Sequence, residues 1–473
     1  MRFDSSPTGT APQSPQAERP QRIAVVGGGI AGLSAAWLLS QRHTVTVFEA
    51  EGRPGGHSHT VDVPGVKGGQ GEDSATPSVP VDTGFIVYNE PAYPNLTALF
   101  AHLGVTTQGS DMSFSVSLDG GALEYAGTDL NGVFAQRSNL LRPRFWRMLA
   151  ELLRFYRQAP HDAAEAGLEP LDAYLDRRGY SRALREDHLY PMAAAIWSTA
   201  AGDVGRYPTE AFVRFCENHH LLQLSGRPQW RTVTGGSRAY VQKLTAAFAS
   251  RLHLDSAVQE VQRDAAGARV RTAAGWHAEH FDQVVLACHA DQALRLLPHA
   301  SADERRLLGA FGYSRNEAVL HSDPALMPQR RAVWCAWNYL AQRQRPGPPC
   351  VSYWMNRLQG LPDERPLFLT LNPSTAPRAE HHIRTQMWEH PLFDAAALRA
   401  QRELWSLQGR QRTWFCGAYF GAGFHEDGLQ SGLAVAEALG QVRRPWRVAN
   451  ESGRIHCAAT PFAPSVAAVQ EIA

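Results

Sequence analysis

The chain lacks any real surplus of charge. Its 473 residues carry 46 Lys and Arg against 45 Asp and Glu, a formal net charge of +1. A general nucleic-acid binder carries a clearly basic surface, so no nucleic-acid partner is expected. No run of about 18 apolar residues occurs, so no helix is expected to cross a bilayer. Six cysteines (Cys216, Cys288, Cys335, Cys350, Cys416 and Cys457) are widely scattered, and none forms a Cys-x-x-Cys pair. That spacing argues against a zinc ribbon or a disulfide scaffold and fits a reducing cytosol, so no metal and a cytoplasmic location are expected. The first 21 residues are rich in Pro, Ser, Thr and Gln and lack the apolar core of a signal peptide; they read as a disordered tail. No internal repeat and no Ser-His-Asp arrangement in motif context is evident.

What is present begins at "RIAVVGGGIAGLSAAWLLSQRHTVTVFEA". Ile23 to Val26 reads as a buried strand, Ile30 to Ser40 as a helix, and Thr44 to Phe48 as a second strand ending at Glu49. Gly27, Gly29 and Gly32 form Gly-x-Gly-x-x-Gly between the first strand and the helix. The first glycine allows a tight turn, the second lets backbone approach a pyrophosphate, and the third lets helix and strand pack closely. Ile30 and Ala31 open the helix, whose free N–H groups and dipole suit phosphates. Glu49, followed by Ala50, stands where a carboxylate meets adenosine ribose hydroxyls. Together these predict dinucleotide binding. A second such triplet is absent: Gly421 to Glu426 begins the pattern but has Glu at the third glycine. No separate NADPH domain is therefore expected, and electrons would leave to oxygen, a quinone or another redox partner.

Downstream of Glu49, "GRPGGHSHT" completes Glu-x-x-x-Arg-x-Gly-Gly with Arg53, Gly55 and Gly56. This resembles the signature of the flavin amine oxidase and carotenoid desaturase superfamily. The resemblance implies FAD, with Arg53 near the phosphates and ribose, and Gly55 and Gly56 bringing a second backbone stretch beside the cofactor. Amine oxidases usually have Arg after the glycine pair; His57 stands here. "VDTGFIVYN" resembles the strand under the flavin, with Asp82, Thr83 and Gly84 at its turn. The polar stretch between these segments, residues 65–80, reads as a hairpin loop. In "LHLDSAVQEVQRDAAGARVRTAAGWHAEHFDQVVLACHA" several strands are expected, and Val258 matches a position that contacts adenine through its backbone. The implied fold class is α/β: a Rossmann-like FAD-binding domain assembled from 22–95, 225–300 and 406–440, with a mixed α+β substrate domain from 96–224 and 301–405. Residues 441–473 form a C-terminal extension.

"DMSFSVSL", "NHHLLQLSGRPQW" and "WFCGAYFGAGFHEDGL" together resemble stand-alone bacterial FAD proteins related to the N-terminal oxidase-like domain of plant cyclopropane fatty acid synthases. This similarity runs from about Arg22 to about Leu439 and implies a lipid-related setting. Three functions stay open: an FAD-dependent oxidoreductase oxidising an unsaturated or modified acyl lipid by hydride transfer to flavin N5; a flavin amine oxidase acting on a soluble amine; and a flavin-bearing partner of a separate lipid-modifying methyltransferase.

The loop "GAYFGAGFHEDGLQSG" is expected to close over the ribityl chain and the pyrimidine edge of FAD. Gly417 opens it, and Gly428 and Leu429 at the start of the next helix aim N–H groups at the ring's O2 edge. His425, Glu426 and Asp427 then stand at the flavin edge, as cofactor clamps or, for His425 and Glu426, as proton-transfer groups. His219-His220 reads as a structural or pocket-lining pair. "RAVWCAWNYL" and "VSYWMN" read equally well as pocket lining or sheet core. In "RPRFWRMLAELLRFYRQ" (142–158) Phe145, Met148, Leu149, Leu152, Leu153 and Tyr156 share one helical face, with arginines mostly opposite. Such a helix either packs on the core or lies on an anionic membrane face, here the inner one.

Overall fold

The computed structural model describes residues 19–65, 78–197, 201–343 and 350–457. Most of the expected N-terminal tail, the middle of the polar stretch after Val63 and the last residues of the C-terminal extension lie outside these ranges.

A five-stranded parallel sheet runs in the order Leu252–His253, Thr44–Phe48, Arg22–Val26, Gln283–Leu286, Thr413–Phe415. Three distant parts of the chain thus complete one sheet. Its central strand is apolar and buried from Ile23 to Val26, the pattern of a parallel strand covered on both faces. One cover is the helix Ile30–Leu39, whose ten residues are all buried and uncharged. It packs along the helix His425–Gly440. At Gly432 a Cβ would lie 2.2 Å from the Ala31 carbonyl oxygen, so only glycine permits this approach.

The second sheet has seven strands, in the order His382–Leu392, Gly312–His321, Phe368–Leu371, Cys350–Trp354, Trp337–Ala341, Phe114–Leu118, Leu123–Ala126. Its strands pair antiparallel except Trp337–Ala341 with Phe114–Leu118. One apolar core joins this sheet to the helices Pro143–Ala166, Tyr190–Trp197 and Thr209–Asn218. Of the several strands expected in this stretch, Val258–Arg263, Ala268–Thr272 and Gly275–Trp276 form a separate antiparallel meander. Thr60–Val63 and Val79–Asp82 pair as the expected hairpin.

The helix Pro143–Ala166 buries Phe145, Met148, Leu152, Phe155, Ala159, Ala163 and Ala166. The predicted face is therefore corrected: Leu153 is 44% exposed and Phe155 takes its place. Phe155 meets the rings of Tyr174, Tyr180 and Phe212 at 6.4, 5.8 and 6.4 Å. Those distant aromatics decide the helix's rotation, and its local period does not reveal them.

Candidate active site

A cavity of about 1830 Å³ runs from the carboxyl end of the parallel sheet to the helical side of the seven-stranded sheet. Pockets for one small ligand occupy about 300–1,000 Å³, so this space suits a dinucleotide and a second molecule together.

Glycine backbone builds the first end. Gly27 has φ +108°, and a Cβ there would stand 2.9 Å from the Ala287 carbonyl oxygen. A Cβ on Gly32 would stand 2.0 Å from the Gly27 oxygen, so this glycine seats the helix on the turn. Gly29 differs: no described residue lies within 4 Å of its Cβ position, which opens into the cavity. The Gly55 N–H donates to the Gly28 carbonyl at 2.7 Å, which brings Gly56 alongside Gly29. The helices Ile30–Leu39 and His425–Gly440 both begin here, with Ile30, Ala31, His425 and Gly428 on the lining. Two positive dipole ends therefore face one space. The buried His57 Nε2 and Tyr419 hydroxyl, both from lining residues, have no partner among the described residues. An anionic dinucleotide with polar ring edges fits this cradle.

Gly27, Gly29, Ile30, Ala31, Glu49, Ala50, Gly55, Gly56, His57, Thr83, Gly84, Val258, Gly417, His425 and Gly428 all lie on the lining. Glu49 is held by the N–H groups of Gly28 and Glu51, at 2.6 and 2.8 Å. Arg53 does not reach the cavity and instead pairs with Glu51 at 2.8 Å. Leu429 is fully buried and off the lining.

Glu426 and Asp427 require correction. The helix starts at His425, so both belong to its first turn rather than to a loop, and neither lines the cavity. Glu426 is fully buried; its carboxylate accepts from the Asn95 and Leu96 N–H groups, each at 3.0 Å, and from the Asn95 and Gln430 side chains at 2.9 Å. It satisfies the free N-terminus of the helix Pro94–Leu103 and has no free oxygen with which to move a substrate proton. Asp427 accepts from the Phe424 N–H at 2.7 Å and pairs with Arg454 at 2.6 Å. Arg444, itself paired with Glu437, donates to Asn95 at 2.8 Å and extends this buried network.

His425 does face the cavity. Its ring stacks on Phe85 with centroids 3.9 Å apart, and Nε2 lies 2.6 Å from the Tyr240 hydroxyl, which also meets Ser58 Oγ. Burial pushes its pKa down to about 3. A neutral imidazole locked by stacking is suited to positioning a neighbour and has no proton to give near neutral pH.

The second end is aromatic and aliphatic. Phe114, Met192, Ala195, Ile196, Phe215, Leu369 and Leu371 line it. Trp337 and Tyr353, from the two segments left open between lining and core, also face it, with ring centroids 4.7 Å apart. Four buried polar atoms that interrupt this lining have no partner among the described residues: the Nε2 atoms of His188 and His219 and the indole N–H groups of Trp197 and Trp337. His219 Nδ1 meets the Phe215 carbonyl at 3.0 Å and must carry the proton, so its Nε2 is an acceptor. The Tyr125 hydroxyl donates to the Asp187 carbonyl, so His188 Nδ1 donates to Tyr125 and its Nε2 is likewise an acceptor. Burial lowers these pKa values to about 3 for His219 and about 4 for His188. Sequence reasoning passed over His188, which sits in the π-helical stretch Arg185–Leu189. No motif marks it; the irregular turn is visible only in the fold.

The fold and the cradle define a flavoprotein of two-domain build. Residues 30–321, more than half of the chain, match the model of the flavin containing amine oxidoreductase family. The chain belongs to that family and is an FAD-dependent oxidoreductase. A Mycobacterium tuberculosis protein named as a flavin-containing monoamine oxidase is 26% identical over 366 residues, covering 74% of this chain and 70% of its own. Two solved structures share the fold at a TM-score of 0.62. One is a putrescine oxidase bound to putrescine, 15% identical, with 88% of this chain and 98% of that chain covered. The other is a CLA-producing fatty acid isomerase from P. acnes, 16% identical, with 89% and 98% covered. Among the described residues no helix is long and apolar enough to cross a membrane.

Proposed function

We propose that this oxidoreductase acts on an uncharged acyl lipid, and that Gly27–Ala31, Gly55–His57, Thr83–Gly84, His425 and Gly428 hold its FAD. The observation that carries the reading is the charge of the lining. Each of its four carboxylates is engaged: Glu49 with backbone N–H groups, Glu51 with Arg53, Asp129 as a helix cap for Gly132 N–H, and Glu389 beside His289 and Arg315. Among the described residues the aromatic end contributes none, so a buried ammonium group would have no counter-charge from them, and an unpaired buried charge is costly.

An acyl chain meets the opposite situation. Phe114, Met192, Phe215 and Leu371 supply apolar surface and exclude water. The four unpartnered polar atoms offer two donors and two acceptors without charge, which suits an ester or hydroxyl oxygen on the chain. Bound FAD supplies the two-electron acceptor. His425, stacked on Phe85 and tied to Tyr240, orients what lies beside it, and the neutral histidines stay unprotonated acceptors at physiological pH.

Calorimetric titration of the FAD-loaded protein tests this. An unsaturated fatty acyl ester should bind saturably with a negative heat-capacity change, and putrescine should not bind. Saturable binding of the diamine with none of the ester would overturn the proposal.

A further inference from the structure

Eight large apolar side chains are markedly exposed among the described residues, and they are not scattered. Five of them line the same cavity: Leu130, Trp146, Leu153, Leu224 and Met387. Leu140 and Leu141, 44% and 86% exposed, stand on the turn that leads into the helix Pro143–Ala166. Contacts tie this rim together. The Trp146 indole N–H donates to the Leu140 carbonyl at 2.9 Å, and its ring lies 5.3 Å from Phe134, also on the lining. Along the helix, Trp146, Ala150, Leu153 and Arg157 form one exposed line.

Charge accompanies the apolar rim. Arg137, Arg142, Arg157 and Arg227 make no ion pair among the described residues, whereas most arginines elsewhere are paired. Arg142 donates to the Ala122 carbonyl and Arg227 to the Gln223 carbonyl, at 2.7 Å each, and these partners are neutral and supply no counter-charge. The rim's carboxylates are occupied: Asp129 caps a helix and Glu151 pairs with Arg147 at 3.0 Å. A cluster of protruding Leu and Trp flanked by uncompensated arginines matches the interface of an anionic bilayer, where apolar groups enter the acyl boundary and arginines meet phosphates.

We infer that this face docks the protein on an anionic membrane leaflet, with the cavity mouth pressed against the lipid. Trp146, Leu153 and Leu224 are at once docking surface and channel wall, so a chain leaving the bilayer would reach the apolar end of the cavity without crossing water. That loading route rests on the acyl reading above; the docking rests on exposure and charge.

Co-sedimentation of the FAD-loaded full chain with vesicles tests docking. Equimolar phosphatidylcholine and phosphatidylglycerol should pull the protein down, and phosphatidylcholine alone should not. Leu141→Asp, on a side chain that touches no cavity wall, should abolish binding, whereas Leu392→Asp, off the rim, should leave it unchanged. Arg137→Glu with Arg157→Glu should weaken binding at least tenfold, from about fivefold per withdrawn arginine, and high salt should do the same to the wild type. Wild-type protein that stays in the supernatant, or binding that survives Leu141→Asp, would overturn the inference. Ester binding in detergent by a protein that ignores vesicles would remove docking alone. Vesicle binding without ester binding would remove the substrate reading alone.

Discussion

Replacing Gly29 by Ala separates the cofactor from the fold. Gly29 adopts φ −77° and ψ 179°, extended backbone open to any residue, and no described residue lies within 4 Å of the added methyl. Two small terms affect the apoprotein. Alanine narrows the unfolded ensemble, worth about 0.4–1 kcal/mol in favour of folding, and is a poorer helix cap than glycine by a few tenths or more. They nearly cancel, so apoprotein stability should change by less than about 0.5 kcal/mol. The same methyl projects into the cradle where the dinucleotide must approach backbone. Overpacking a fitted contact costs about 1–3 kcal/mol, or roughly 5- to 150-fold in FAD affinity. Gly32→Ala is the counterpart: its methyl would stand 2.0 Å from the Gly27 carbonyl oxygen, so that variant should lose apoprotein stability as well. The assay is thermal melting of both apoproteins, then FAD titration followed by flavin fluorescence. Wild-type FAD affinity in Gly29→Ala would show that the cofactor does not pass over this glycine and would refute the placement.

Further outcomes follow from the same geometry. Glu426→Ala should cost about 3–4 kcal/mol by leaving buried Asn95 and Leu96 N–H groups unpaired, while the folded fraction keeps a normal flavin spectrum; chemical denaturation and absorbance read both. His425→Ala should weaken FAD binding about tenfold through loss of the Phe85 stack, yet leave the pH profile of flavin reduction in the loaded fraction unchanged, because this imidazole is already neutral above about pH 3. Stability should fall on acidification. His188, His321 and His390 are held at about 4 and His219 and His425 at about 3, all by burial, so the unfolded chain binds more protons once the pH drops below its histidine pKa of about 6.5. Each contributes stability that is present above that value and is lost toward its folded pKa, by about 1.4 kcal/mol per pH unit. Asp82, raised to about 6 by burial, and Glu49, Glu426 and Asp427, also raised by burial, work in the opposite direction, while His57, His59 and His289, lowered by burial, add to the histidine side. His321 accepts from the Asp323 N–H at 3.0 Å and lies 2.7 Å from Thr370 Oγ1, so His321→Gln should flatten this acid limb; equal stability at pH 7 and pH 5 would contradict the assignment.

The dinucleotide end was legible because each glycine of the triplet answers a distinct local demand: a positive φ at Gly27, open space at Gly29 and helix contact at Gly32. The His-Glu-Asp cluster was not legible. Its helix begins at His425 behind Phe424, a residue without a capping side chain, so the usual Ser/Thr signature of a helix start is missing. The acidic residue three positions on, Asp427, was the surviving half of that signature. Once the cluster lies in a first helical turn, Glu426 and Asp427 must point away from the lining that His425 faces. The aromatic end was legible only in pieces. Trp337 and Tyr353 stood out as aromatics, but His188 and Trp197 meet them only because helices and strands distant in sequence fold over one cavity. The exposure of Leu153 was hidden for the same reason, since Phe155 wins the core position through distant partners.

The central claim is that FAD in this cavity takes electrons from an uncharged acyl lipid. Anaerobic mixing of the oxidised, FAD-loaded protein with an unsaturated acyl lipid, and separately with a monoamine and a diamine, reads this directly in the visible flavin band. The lipid should bleach the band and the amines should leave it intact. Bleaching by an amine alone, or by none of the three, would contradict the account.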